Sequence, residues 1–510
     1  MDSRTLSQCF AETCSKFRDK TAIIFYRKTS AETEISFESL DHDANRIANT
    51  FHDMGVKKGD RVILFFPKSL VFVVAHLGLQ KIGAITVPLN TGFKKSEMEY
   101  FIQDATPKLI LAGTDQQVLI RETAPGVRSI LVDTEKPYGE IDFFRTASDA
   151  QPDAQIDAND PALIIYTSGT TGKPKGAVLT QGNLLHDAKN ILYIWEINDS
   201  DVLCHALPLF HVHGLCFALH TCLLAGSQVL LLDAFSPDTV VNLLTEGKGT
   251  RVCTLFMAVP SMYAKLLDFV EGKIFNFDHV RLWTSGSAPL LPRDFERIKR
   301  AFAKEPVERE GMSETGMNFS NPVTGTRKPG SIGLPLPGLE VRIVNPETLE
   351  DLPPGETGEI WLKGPAVTPG YWQKPEETAK TFVDGWFRTG DLARVDEEGY
   401  YYLTDRLKHI IISGGENISP KEVEAVINRI DGVSESSVVG VPDEQWGEKV
   451  VVAVVPKQGF TLAPQAILSV CKKQLHSWKC PKDIRFLDAL PRNTMGKVLK
   501  KEVEKLFSPS

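Results

Sequence analysis

The run Tyr166-Thr-Ser-Gly-Thr-Thr-Gly-Lys-Pro-Lys-Gly176 gathers hydroxyls, glycines and lysines into one short stretch. Thr167, Ser168, Thr170 and Thr171 bring hydroxyls, Gly169 and Gly172 let backbone N–H groups turn inward, and Lys173 and Lys175 bring positive charge. Such a loop suits the phosphates of a nucleoside triphosphate. It differs from the G-x-x-x-x-G-K-[ST] loop because Gly172-Lys173 is followed by Pro174. The bland alternative, an exposed polar turn after a strand, leaves that concentration of donors without a reason.

Other chemically useful groups lie further along the chain. Gly311-Met-Ser-Glu314-Thr offers a hydroxyl and a carboxylate, and Trp386-Phe-Arg-Thr-Gly-Asp391 ends in an aspartate. Asp405-Arg406-Leu-Lys408 alternates charge, Gly414-Gly415 begins a second glycine segment, and Pro491-Arg-Asn-Thr-Met-Gly-Lys497 presents a lysine. Singly, each has an ordinary explanation: a capping carboxylate, a turn aspartate, a solvated lysine beside Lys500 and Lys501. In this order they resemble the adenylate-forming enzymes, which include acyl-CoA synthetases, aryl-CoA ligases and luciferases. The resemblance covers nearly the whole chain.

That resemblance implies an ATP-dependent acid–CoA ligase. A carboxylate attacks the α-phosphorus, pyrophosphate leaves, and coenzyme A then takes the acyl group and releases AMP. Two anions must be brought together while phosphate charge spreads, which calls for positioning and fixed positive charge. By the resemblance, Thr167, Ser168, Gly169, Thr170, Thr171, Gly172 and Lys175 bind ATP. So do Gly286, Ser287, Ala288, Glu310, Gly311, Met312 and Ser313, with Asp391 and Arg406 at the ribose. Glu314 and Thr167 are the expected Mg2+ ligands, Lys408 the hinge, and Lys497 the catalytic cation between carboxylate and α-phosphate. Gly414, Gly415 and Trp446 would form the coenzyme A tunnel. Where the family has an aromatic residue to stack on adenine, this chain has Glu310, which cannot stack. Adenine is therefore expected to rest more on the backbone around Gly286, Ser287 and Ala288, with Glu310 accepting from its amino group or pointing away.

The acid is expected among His211, Arg281, Ser285 and Met317, with His211 as a gate and catalytic candidate. Arg281 could pair bidentately with a second carboxylate; the resemblance also offers a structural role for it, since relatives that take aromatic or fatty acids carry an arginine at that place. The runs H-A-L-P-L-F-H-V-H-G-L, R-L-W-T-S-G-S-A-P-L and G-M-S-E-T-G-M-N-F-S-N-P resemble malonyl-CoA synthetases, so malonate or a similar small dicarboxylate is the favoured substrate. An aryl or fatty acid, and a carrier-protein acceptor in place of free coenzyme A, remain open; a non-catalytic nucleotide-binding relative is the remote alternative. His211 and His213 form a His-x-His pair that lacks a third metal ligand in the sequence.

These groups need a scaffold. Arg61-Val-Ile-Leu-Phe-Phe, Ala84-Ile-Thr-Val-Pro-Leu, Lys108-Leu-Ile-Leu-Ala, Ser129-Ile-Leu-Val-Asp and Ala162-Leu-Ile-Ile-Tyr read as buried strands separated by helical patterns. The rhythm resumes at Gln228-Val-Leu-Leu-Leu, Arg251-Val-Cys-Thr-Leu-Phe and Val280-Arg-Leu-Trp-Thr. The expected fold is α/β: two parallel sheets and a small β-barrel (residues 322–400) in a large domain over 1–404, then a small mobile α+β domain over 405–510. Thr180 should cap a helix. The 510 residues suit several compact units. A net charge of −8 argues against a nucleic-acid partner. Eight dispersed cysteines without a C-x-x-C pair, no signal-peptide pattern and no long apolar run point to a cytoplasmic protein away from membranes, monomeric or homodimeric.

Overall fold

The computed structural model describes residues 4–167, 173–245, 252–413, 416–493 and 497–507. The chain divides into two compact units: Met1–Glu340 with Leu362–Phe387, and Val341–Trp361 with Arg388–Ser510. Strands Gly358–Lys363 and Trp386–Val395 each cross that division along the chain.

Among the described residues, the first unit holds a nine-stranded and a seven-stranded sheet. The nine-stranded sheet runs Leu334–Pro335, Gly316–Ser320, Val307–Met312, Leu282–Ser285, Leu255–Ala258, Val202–His205, Gln228–Leu232, Thr21–Arg27, Ser30–Ser36. The other runs Gly370–Tyr371, Lys175–Thr180, Pro161–Thr167, Ile85–Pro88, Arg61–Phe65, Leu109–Gly113, Arg128–Val132. Both are parallel in the middle, as the continuous apolar runs predict. Antiparallel pairs lie toward three of their edges: Thr21–Arg27 pairs Ser30–Ser36, Val307–Met312 pairs Gly316–Ser320, and Pro161–Thr167 pairs Lys175–Thr180; at the fourth, Arg128–Val132 joins Leu109–Gly113 in parallel. Helix Leu70–Lys81 is buried on every side, so its pattern is uniformly apolar rather than striped. Each fully buried Leu, Val or Phe on it contributes about 1.5–3 kcal/mol.

Helix Gln181–Ile194 begins where expected. Thr180 Oγ1 accepts the Asn183 N–H at 3.1 Å and Asn183 Oδ1 accepts the Thr180 N–H at 2.9 Å, a reciprocal cap. The strand expected from Arg251 begins at Leu255, and the one expected from Val280 begins at Leu282. The expected small barrel is a half-barrel sheet of Glu340–Val344, Gly358–Lys363, Trp386–Val395, Phe382–Val383 and Tyr401–Arg406.

In the second unit, Val433–Asp443 and Gly447–Pro456 form a long hairpin flanked by Ile411–Ser413, Glu416–Ile418 and Asp483–Phe486. Helices Pro420–Ile427 and Pro464–Gln474 cover one apolar face, and helix Lys500–Phe507 covers the other. No described helix is long and apolar enough to cross a membrane.

Candidate active site

Glu314 occupies the turn between Val307–Met312 and Gly316–Ser320, a hairpin whose register slips at Glu310/Gly311. The turn is buried, and Glu314 accepts from two hydroxyls: Thr167 Oγ1 at 3.1 Å and Tyr371 OH at 3.2 Å. Thr167 ends strand Pro161–Thr167 and faces Lys175 across the antiparallel pair, so the phosphate-loop sequence closes this hairpin. Burial and the Glu314 carboxylate push the Tyr371 phenol above its ordinary value. Lys175 is buried, pairs with Glu377, and lies 5.2 Å from the centre of the Tyr371 ring. Ser168, Gly169, Thr170, Thr171 and Gly172 lie outside the described residues.

One carboxylate flanked by two hydroxyls is a hard, all-oxygen set. It fits Mg2+, which keeps waters and substrate phosphates and needs only one or two protein carboxylates. Among the described residues no cluster of three His, Cys, Asp or Glu side chains could cage a metal unaided.

The residues expected at the acid lie on and around the nine-stranded sheet, and open α/β sheets bind ligands at the carboxyl ends of their strands. Arg281, expected there, is elsewhere. It precedes strand Leu282–Ser285 at the opposite end, and its guanidinium makes four hydrogen bonds within the protein. Nε donates to Asp201 Oδ1 at 2.8 Å and Nη2 to Asp201 Oδ2 at 2.6 Å; Nη1 reaches Trp195 O at 3.1 Å and Nη2 also Glu196 O at 3.0 Å. Burial raises the Asp201 carboxyl, but Arg281 and Thr254 more than reverse that and hold it below its ordinary value. Arg281 clamps the sheet and is not free to read a substrate.

A different arginine, Arg309, lies against Gly286. Arg309, on Val307–Met312, is 3% exposed, and none of its three guanidinium nitrogens has a hydrogen-bond partner. Phe217 lies 5.1 Å below its guanidinium carbon. Gly286 makes room for it: an added Cβ there would lie 2.5 Å from Arg309 Nε. Burial lowers Arg309 to about 10, while Glu310 and Asp187 hold it up, so it stays protonated at neutral pH. Ser285 Oγ is buried and unpartnered beside Gly286. Met317 is buried, and its N–H donates to Asp187 at 2.8 Å.

The histidines divide. His213, the first residue of the π-helical segment His213–His220, shares a 3.2 Å hydrogen bond through Nδ1 with Ser287 Oγ, while its buried Nε2 is open. Burial, then the Arg309 charge, depress its pKa and keep it neutral. His211 is half-buried against Phe210. His205 Nε2 contacts Gly214 O at 2.8 Å, closing the segment on itself.

At the expected adenine end, Glu310 Oε2 accepts from Asn318 Nδ2 at 3.0 Å. Gly311, Met312 and Ser313 are half-buried and Ala288 is exposed. Ser287 takes a left-handed φ of 68°, which turns its hydroxyl to His213.

In the second unit, Asp391 and Arg406 face each other across Trp386–Val395 and Tyr401–Arg406, with Arg406 Nε 2.7 Å from Asp391 Oδ1. Asp405 anchors the next turn: it accepts from Ser419 Oγ at 2.6 Å and from the Lys421 N–H at 3.0 Å. Lys408 is half-buried, and burial followed by the Arg406 charge lowers its pKa. Lys497 is exposed, with its N–H on Asn493 Oδ1 at 3.0 Å and its carbonyl accepting the Asn493 N–H at 2.9 Å. Trp446 is exposed in the turn before Gly447, which pairs with Ser413. Gly414 and Gly415 lie outside the described residues.

Sequence reasoning passed over Arg309, Asp187 and Tyr371. Only Arg309 left a trace, as a charge at an alternating position of a strand that is otherwise buried at its start.

Family models match at both ends of the chain: AMP-binding enzyme over residues 10–372 and AMP-binding enzyme C-terminal domain over 422–497. The oxalate–CoA ligase of Arabidopsis thaliana is 35% identical over 99% of both chains. The mitochondrial malonate–CoA ligase of Bos taurus is 34% identical over 89% of this chain and 83% of its own. ATP-bound MatB from Rhodopseudomonas palustris superposes with a TM-score of 0.91 at 37% identity, covering 99% of each chain. The chain belongs to the AMP-binding enzyme family and is an AMP-forming acid–CoA ligase that uses ATP and coenzyme A.

Proposed function

We propose that this ligase activates malonate or a similarly small dicarboxylate. The observation that carries the reading is the buried, unpartnered guanidinium of Arg309. A buried charge without a partner costs several kcal/mol, and a planar guanidinium answers a carboxylate with two parallel hydrogen bonds. A substrate with a second carboxylate supplies what the protein withholds; a monocarboxylic acid leaves the charge orphaned. Ser285 Oγ and His213 Nε2 offer further open polar atoms nearby. The malonate and oxalate relatives add support, since both act on dicarboxylic acids.

In the proposed reaction, the reacting carboxylate attacks the α-phosphorus while its distal partner is held by Arg309. Glu314 and Thr167 hold Mg2+, which neutralises polyphosphate charge when bound. Asp391 and Arg406 serve the ribose, and Lys497 supplies the cation of the adenylation step. Eight free, buried thiols suit a reducing compartment such as the cytoplasm. Lys497→Ala is expected to abolish adenylation while acyl transfer from supplied acyl-adenylate survives; loss of both half-reactions would remove that division of roles.

The substrate test is a panel of acids scored for ATP- and coenzyme A-dependent AMP release. Malonate should exceed propionate, benzoate and a medium-chain fatty acid in kcat/KM by at least about 100-fold, the value of one desolvated charge pair. A monocarboxylic acid turned over as well as malonate would overturn the reading.

A further inference from the structure

Asp187 sets the charge around Arg309, and its role in binding rests on the dicarboxylate reading. It projects from helix Gln181–Ile194 into the core, 4% exposed. Its Oδ1 accepts the Met317 N–H at 2.8 Å. It also presses on Gly316, where an added Cβ would lie 2.7 Å from that oxygen.

Two carboxyls, Asp187 and Glu310, thus act on Arg309 through space, yet neither hydrogen-bonds its guanidinium. Cys216, on the packed His213–His220 segment, is pushed far up by burial and by Asp187, and burial keeps His213 and His220 neutral. An entering carboxylate sets a second negative charge beside one guanidinium that already answers the Asp187 carboxylate. A proton on Asp187 relieves that repulsion and leaves Arg309 to the substrate.

We propose that Asp187 couples dicarboxylate binding to proton uptake: it is Arg309's countercharge in the free enzyme and takes a proton from solvent as the substrate's distal carboxylate pairs with Arg309. No bond to the substrate forms at Asp187; it is a positioning and specificity residue acting through Arg309. Burial raises the Asp187 carboxyl to about 7, against the pull of the Met317 N–H and the Arg309 charge. The proton is therefore exchangeable near neutral pH. A group whose pKa rises on complexation takes up protons, so dicarboxylate affinity falls as pH climbs through about 7. The slope reaches up to about tenfold per pH unit. A monocarboxylic acid does not engage Arg309 and shows no such slope.

The test is calorimetric titration of the full chain with malonate, beside a non-hydrolysable ATP analogue, in two buffers of different ionisation enthalpy. At pH 7 the wild type should take up about half a proton per malonate. Asp187→Asn, which keeps an oxygen for Met317, should abolish the uptake and flatten affinity against pH. No uptake by the wild type, unchanged uptake in Asp187→Asn, or equal uptake with propionate would each overturn the proposal. Should the variant fail to fold, the wild-type proton count and the propionate control decide alone. Arg309→Gln separates the two failures. A malonate-selective loss there without wild-type proton uptake sinks the coupling only; no selective loss sinks the dicarboxylate reading too.

Discussion

Arg281 and Arg309 lie on or beside neighbouring strands of one sheet, near opposite ends, and they spend their charge differently. Arg281 meets a carboxylate and two carbonyls, so four of its five N–H groups are answered by the protein. Arg309 is more deeply buried and is answered by none. A saturated arginine is a clamp whose value is stability. An unsaturated one is a cost to the fold, retained where a ligand completes it. In open α/β sheets the carboxyl end is where ligands bind and can offset such a cost.

The largest expected effect separates the two directly. Arg309→Gln should lower kcat/KM for malonate by about 10²–10³-fold, from the 2–5 kcal/mol of a desolvated charge pair, and change propionate little. Gly286→Ala should disturb the same arginine indirectly, because its Cβ displaces the guanidinium. Malonate selectivity over propionate should fall about tenfold, since small misplacements of a positioning group are expensive. Assays of each variant against both acids check these two.

Arg281→Ala should cost stability instead, by about 2–3 kcal/mol once its partial exposure is allowed for, read as a lower denaturation midpoint. Any activity loss should be equal for both acids. Its pH dependence has a definite sign. Asp201 is held low in the folded protein, so its pairing stabilises above the ordinary carboxylate range and is lost as pH falls through the folded value. The stability gap between wild type and Arg281→Ala should therefore narrow on acidification; a gap that widens would deny Arg281 the clamp role. The smallest effect is expected at Glu310→Tyr. It restores a stacking ring, and KM for ATP should fall about 2–10-fold, the 0.5–1.5 kcal/mol of an aromatic contact. An unchanged KM would show that adenine does not meet this position.

The sequence read well where physics is local. Buried strands announced themselves as apolar runs, and Thr180 and Asn183 announced a helix start. The family was legible because its motifs occur here in the shared order. The two arginines were not. Arg281 stands next to a pocket motif, but its partners are Asp201 and two backbone carbonyls, which carry no sequence signature. Arg309 lies between Glu308 and Glu310, which reads as a solvated charge run until the sheet buries it. Asp187 and Tyr371 reach the site from a distant helix and a two-residue strand, placements that only tertiary structure provides.

The most direct test is a crystal structure of the protein with a non-hydrolysable malonyl-adenylate analogue. The account predicts the distal carboxylate within hydrogen-bonding distance of two Arg309 nitrogens, with Arg281 still paired to Asp201. A distal carboxylate bound elsewhere, with Arg309 facing only water or apolar side chains, would contradict it.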